Sequence, residues 1–187
     1  MTDSDNAHRR KKQPEVVRRA LLDEAAKLAT REGLASVTVQ AVAEAAGVTK
    51  GGFIHHFPNK QALIDTLCSE LLDKIDDQID GQMANDPEVR GRFTRAYLKS
   101  VFEAGTAGKL SPWAVLSISM LTDANLRRHW TKWFEGRLER HAETDGGVDL
   151  HIVRLAADGI WISDLFEMRT GDRRDLLDRL LAATSSE

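Results

Sequence analysis

Between Thr38 and Lys60 the chain reads TVQAVAEAAGVTKGGFIHHFPNK, and the residues best suited to chemistry lie here. Thr38 and Thr49 each stand just ahead of a helical pattern, where a hydroxyl accepts from a spare backbone N–H. Lys50 supplies a charge. Gly51 and Gly52 follow it, although each glycine inside a helix costs about 1 kcal/mol against alanine. That cost makes sense where the backbone must come very close to another body. His55 and His56 suggest a metal at first sight. Neighbours on a helix point about 100° apart, however, and no Asp, Glu or Cys lies nearby at ligand spacing. No P-loop, GxSxG, paired-histidine zinc signature or Rossmann glycine pattern occurs. No catalytic residue, metal site or cofactor is therefore expected.

The elements that hold these residues are helix, tight turn, helix. Val39, Val42, Ala43 and Ala46 give the first helix a small apolar face. Gly47 lets the turn take positive φ, and Val48 plugs the gap. This is the helix-turn-helix layout, whose second helix lies in the major groove. A preceding helix is expected over 14–32, with Val17, Leu21, Ala25 and Leu28 at steps of four, four and three. Gly33 caps it. Charge is distributed to match. Residues 1–60 carry ten Lys/Arg against seven Asp/Glu, a balance of +3, whereas the remaining 127 residues carry −6. Only one end of such a chain suits an anionic partner. The run Arg9-Arg10-Lys11-Lys12 reads either as a solvated tail or as an arm touching phosphates.

The same segment resembles the DNA-binding domain of TetR-family transcriptional repressors. The resemblance covers roughly Val16 to Leu72 and rests on the alanine-rich helix, AGV, Thr-Lys-Gly, HF and NK at their spacing. It implies that Thr38 and Lys60 hold phosphates at helix N-termini. It places Thr49, Lys50, Gly51 and Gly52 against base edges and the neighbouring backbone, and His55 and His56 against phosphate. One position departs from the family. Ile54 stands where tyrosine is usual, so a hydroxyl contact is lost, and Ile54 either meets a thymine methyl or packs.

The rest of the chain reads as helical. Pro14, Pro58, Pro87 and Pro112 each fall just before or at the start of a helix-like stretch, with Asp86 and Ser111 as caps. No apolar alternation or Asn-Gly hairpin signal appears. Helices are expected over 60–82, 87–107, 112–121, 123–142, 149–169 and 172–183, about nine in all. The fold class is all-α: a three-helix DNA-binding domain at 1–58, with 1–13 a flexible basic tail, then a helical-bundle domain at 59–187. Cys68, the one cysteine, reads as a core residue, which excludes an internal disulfide and fits a reducing compartment. The most apolar short run, Trp113 to Leu121, is too short to span a bilayer, which takes ~20 residues. No secretory signal opens the chain. A cytoplasmic, nucleoid-bound protein with no membrane partner is expected.

All four tryptophans follow Met83. They either fill a bundle core or wall a pocket for a flat apolar effector, for which Phe102, Trp113, Met120, Trp133 and Trp161 are the candidates. Asp158 and Asp164 are candidate counter-charges for a cationic ligand, although Asp158 can equally pair with Arg154. The helix over 149–169 is apolar nearly all round. Its small-residue face, Ile152, Ala156, Gly159 and Ser163, with Leu176, Leu177 and Leu180 of the last helix, reads as a homodimer interface, as the resemblance also implies. The expected function is ligand-responsive repression at a palindromic double-stranded operator, with multidrug or small-molecule sensing. The alternatives are a small-molecule enzyme, or a transcriptional activator with the same head.

Overall fold

A computed structural model gives the backbone of residues 3–106, 112–168 and 171–185, with side chains described over 14–105, 112–168 and 171–185. The described residues form ten α-helices and no strand. They are α1 Asp3–Glu32, a 3-10 turn at Leu34–Ser36, α2 Val39–Ala45, α3 Lys50–His56, α4 Lys60–Ala84, α5 Arg92–Thr106, α6 Pro112–Met120, α7 Ala124–Arg140, α8 Ala142–Asp145, α9 Val148–Leu165 and α10 Arg173–Ala182. Two compact units result. One comprises Met1–Ser69 with Leu110–Leu126, the other Glu70–Lys109 with Arg127–Glu187.

In the first unit, Leu21, Leu22, Ala25 and Leu28 of α1 meet Val42 and Ala43 of α2, Phe53 and Phe57 around α3, and Leu63 and Leu67 of α4. The periodicity of α1 is what makes this possible, since steps of three and four keep one face inward. α6 packs on α1 in the same unit, with Val115 against this core. Cys68 is buried. Burial first, and the nearby Asp65 second, push its thiol up to about 11, so it is an inert packing group.

In the second unit α5 and α9 form the main helix pair. Phe93, Ala96, Tyr97, Val101 and Phe102 face Val153, Ala157 and Ile160, and Trp130, Trp133 and Phe134 of α7 cover them. Trp130 stacks on Phe134 at 5.7 Å between centroids.

Three expected boundaries move. α1 is traced from Asp3, so residues 3–13 are helical in backbone and Pro14 lies inside the helix, which forgoes the bond to the Arg10 carbonyl. The side chains of Arg9 to Lys12 lie outside the described residues, as do the Ser111 cap and the expected helix ends at Ala107 and Arg169. α9 stops at Leu165. The largest shift is at Pro87, which does not open α5. The Asp86 carboxylate is occupied instead by Glu88 N–H at 3.0 Å and by Arg95 Nε at 2.7 Å. The same guanidinium donates to the Glu88 and Arg90 carbonyls, so the 86–90 segment wraps around Arg95. The hydrogen bond from Arg95 holds the Asp86 carboxyl below its usual range.

α5 therefore starts at Arg92 and takes its cap from afar. Asp145, buried at the end of α8, accepts from Thr94 N–H at 2.7 Å and Phe93 N–H at 3.4 Å. Arg154 of α9 then donates to Thr94 Oγ1 at 2.7 Å and to the Asp145 carbonyl at 3.0 Å. Asp145→Ala should strip this cap and leave buried donors unpaired, at a cost of about 2–3 kcal/mol. For a chain of this length that is roughly 5–10 °C in melting temperature. Asp145→Asn, which keeps one acceptor, should lose less. A thermal melt of the alanine variant within a degree of wild type would refute the assignment.

Candidate nucleic-acid interface and effector domain

The interface is built on two threonine caps. Thr38, in extended backbone, accepts from Ala41 N–H at 3.1 Å and starts α2. Thr49 does the same for Gly52 N–H at 3.1 Å and starts α3. Between them Gly47 takes φ 67°, the left-handed region in which a side chain would be strained. α3 is pinned from one side only. Phe53 and the capping Phe57 are buried, their rings 5.9 Å apart. Lys50, Gly51 and His55 face outward, and Ile54 is 43% exposed, so it is not a core residue. The His55 and His56 rings meet edge to face at 5.1 Å.

The glycine pair is not needed by the fold. A Cβ on Gly51 would lie 3.7 Å from Thr49 Oγ1, and one on Gly52 3.5 Å from the same atom and from Val48 Cβ. These are ordinary van der Waals distances. Lys60 is less free than expected: its ammonium donates to the Leu34 carbonyl at 3.2 Å and ties the start of α4 to the 3-10 turn. Asn59 caps α4 through Ala62 N–H at 2.9 Å.

The effector candidates divide between the units. Trp113 and Met120 lie on α6 in the first unit; Phe102, Trp133, Asp158, Trp161 and Asp164 lie in the second. In the second unit Phe102 belongs to the buried cluster, with Trp133 and Trp161 packed against it. Trp133 Nε1 donates to Asp76 at 2.7 Å. Asp158 accepts from the Tyr97 hydroxyl rather than pairing with Arg154, whose hydrogen bonds go to Thr94 and Asp145. Burial raises the Asp158 carboxyl, against the opposing pull of Tyr97, Arg154 and His151. Burial also lifts the Tyr97 phenol well above its usual value, with the Asp158 charge adding to it. Asp164 is neutralised by a two-pronged bridge to Arg173, at 2.6 and 2.8 Å. Arg173 also lies over the Phe102 ring at 4.7 Å. A Cβ on Gly105 would stand in this bridge, so a side chain there would have to displace the ends of Asp164 and Arg173.

Among the candidate interface residues, Ile152 and Gly159 are exposed on α9, whereas Ala156 and Ser163 are half-buried. α9 carries apolar residues on both faces but is covered on only one within the chain. Leu150, Val153, Ala157 and Ile160 face the core, while Val148, Ile152, Leu155 and Ile162 face out. Leu176, Leu177 and Leu180 of α10 are half-buried and pack on the unit's own cluster. Of the outward row the sequence reading includes Ile152 but not Val148, Leu155 or Ile162, and it includes neither Tyr97 nor Arg173. Steps of four, three and seven from Val148 to Ile162 were the available signal for the row. Nothing local marked Tyr97.

These features define an all-helical protein whose first unit is a helix-turn-helix head. Residues 21–67 match the family profile for bacterial regulatory proteins of the tetR family, and residues 91–185 match the tetracyclin repressor-like C-terminal domain. The chain belongs to the TetR family of transcriptional regulators, which are DNA-binding proteins and not enzymes. The transcriptional repressor KstR2 of Rhodococcus jostii is 40% identical over 58 residues, 31% of this chain and 28% of that protein. KstR2 of Mycobacterium tuberculosis is 26% identical over 155 residues, 76% of this chain and 77% of that protein. The crystal structure of the multidrug binding protein EbrR with malachite green superposes with a TM-score of 0.70 at 17% identity, over 90% of this chain and 98% of that one. That likeness is one of fold.

Because both added methyls fit, Gly51→Ala and Gly52→Ala should each stabilise the isolated protein by up to about 1 kcal/mol. Chemical denaturation checks this. A destabilisation of either variant would mean that the fold itself demands the glycine.

Proposed function

We propose that the chain is a homodimeric, ligand-responsive repressor that binds a pseudo-palindromic operator and is released by a small apolar effector. The observation that carries the reading is α3. Its outward face is Lys50, Gly51, Ile54 and His55, and its glycines are of no use to the protein's own packing. Backbone that close to DNA leaves room for phosphate and base contacts, and Ile54 offers an apolar group to a thymine methyl. Thr38, Thr49, Gly52, His56 and Lys60 complete the surface. Lys60 then meets phosphate only by leaving or sharing the Leu34 carbonyl. We assign DNA reading to residues 1–58 and effector binding and dimerisation to 59–187, with the protein working in the bacterial cytoplasm on the nucleoid. Selection of duplexes from a random pool should return an inverted repeat. Lys50→Ala should change both affinity and preference, and Gly51→Ala should weaken operator binding by roughly tenfold or more while stabilising the fold. Recovery of no preferred sequence would end the proposal.

Dimerisation is assigned to α9, with α10 beside it. Val148, Ile152, Leu155, Gly159, Ile162 and Phe166 recur at steps of four and three, and the five apolar side chains among them are each at least half exposed. A row of that period is a helix-packing seam. At Gly159 a Cβ would meet nothing within 4 Å, so a second helix can approach there. Leu155→Glu with Ile162→Glu should turn a dimer into a monomer in sedimentation and cut operator affinity. An unchanged dimer would move the interface elsewhere.

The effector is placed in the aromatic interior of the second unit, among Phe102, Trp133 and Trp161 with Tyr97 and Asp158. The multidrug binding protein EbrR, which shares the fold, has a crystal structure in complex with malachite green. Asp158 is the acidic group for a cationic ligand, because Asp164 already carries Arg173. An effector that binds one spacing of the two DNA heads more tightly shifts the population away from the operator-bound state. Asp158→Asn should weaken planar cationic dyes by roughly tenfold or more while sparing neutral ligands of similar shape, read by tryptophan fluorescence. It should also abolish the loss of stability that the raised Asp158 carboxyl imposes as pH rises above the usual carboxylate range. A carboxyl with a raised folded value stabilises fully below its unfolded value and loses that contribution as pH rises through the folded one. Equal loss for both ligand classes would remove the charge from the proposal.

A further inference from the structure

We infer that the cleft between the end of α4, the first half of α5 and the end of α10 is a second ligand site. It takes a small monocarboxylate with a hydrogen-bond donor beside the carboxylate, an amino or hydroxy acid. The cleft lies wholly in the second unit, and none of the aromatic residues assigned to the effector lines it. Its volume is about 540 Å³, inside the ~300–1,000 Å³ range of small-molecule pockets. Its frame is fixed by the buried Arg95. Nε bonds Asp86, Nη2 the Glu88 carbonyl, and Nη1 the Arg90 carbonyl and Thr184 Oγ1. All three guanidinium nitrogens therefore hold the 86–90 segment and the end of α10 against α5.

The carboxylate requirement comes from Lys99. It lies one helical turn beyond Arg95 on the same face of α5, half-buried, with no hydrogen bond or ion pair among the described residues. Its charge reaches into the cleft, where it helps to lower the Asp86 carboxyl. Asp86 and Arg95 cancel as a pair, so the net charge of the lining is that of Lys99 alone, which suits one anionic group. The donor requirement comes from α4. Gln82 Nε2 donates to both Glu103 oxygens at 3.3 Å, which fixes the amide, because its own oxygen in that place would face a carboxylate. Oε1 is left buried and without a donor, a costly state for an acceptor. Asn85, three residues on, spends Nδ2 on the Gly81 carbonyl at 2.8 Å, which leaves Oδ1 as its remaining group. A ligand N–H or O–H satisfies these oxygens while Lys99 takes the carboxylate. Pro87, Leu181 and Ala182 give the cleft an apolar side for a short aliphatic tail.

The test titrates the full-length protein by calorimetry with three acids of one carbon skeleton: leucine, its hydroxy analogue leucate, and isocaproate, which lacks both donors. Concentrations up to about 10 mM cover millimolar affinity. Leucine or leucate should bind about tenfold or more tightly than isocaproate, and the tighter of the two tells amine from hydroxyl. Lys99→Gln should weaken that ligand by about tenfold or more, and Gln82→Met should bring it down to isocaproate. In the wild type, the side-chain amide resonances of Gln82 and Asn85 should shift on binding, a readout that needs no substitution. Asp158→Asn should leave the acid's affinity unchanged, and Lys99→Gln should leave planar cationic dyes unchanged. No heat and no amide shift with any acid would overturn the site. So would isocaproate binding as tightly as the other two, or full affinity in Lys99→Gln. The effector reading stands or falls separately, on dye binding and Asp158.

Discussion

The second unit depends on how one helix start is closed. α5 carries most of the buried aromatic residues, yet its first turn has no capping residue in its own neighbourhood, because Asp86 is drawn onto Arg95. Unpaired N–H groups buried there would cost more than any single apolar contact returns. Asp145 closes them from 52 positions downstream of Phe93. To bring it there the chain breaks α7 at Arg140, makes the single turn of α8, and restarts as α9. Arg154 then bonds both the cap and Thr94, which fixes α9 along α5. The polar closure thus sets the register in which Tyr97 meets Asp158 and the aromatic residues interdigitate.

The acidity of this part of the chain has the same explanation. Its carboxylates are distributed as helix ties: Asp80 to the fully buried Arg137, Asp86 to Arg95, Asp164 to Arg173. Two of these arginines also use their flat faces, Arg137 over Phe93 and Arg173 over Phe102. Buried ion pairs add modestly to stability, but losing one partner is expensive, so they select one packing arrangement over its neighbours. Charge read from composition as repulsion toward DNA is, at these positions, internal bonding.

What the sequence disclosed follows the range of the forces involved. The helix-turn-helix was legible because its determinants are local: Thr38 and Thr49 cap within three residues, Gly47 turns, and the Val42, Ala43 and Phe53 pattern faces one core. The helical character of the remainder followed from periodicity. The start of α5 was misplaced because a proline signal competes with a distant cap that no window of neighbouring residues contains. Asp158 was weighed against Arg154 four residues earlier, but its partner is Tyr97, 61 positions away. For α9 the apolar content was visible, but its division into a core row and an outward row depends on which neighbours arrive.

The two apolar rows of α9 and the one-sided anchoring of α3 pose the same kind of constraint. A helix held by one face leaves the other to be shaped by something outside the protomer. On α9 that outer face is Ile152, Leu155 and Ile162, which water would disfavour if it stayed bare. On α3 it is Lys50, Gly51, Ile54 and His55, among which the glycine costs helix stability. An apolar seam suits a surface that also lacks water, such as a copy of itself. A stripped, cationic backbone suits a surface that is charged and must be approached closely. The residue types on the two open faces differ in kind, while the inward faces of both helices obey the same packing rule.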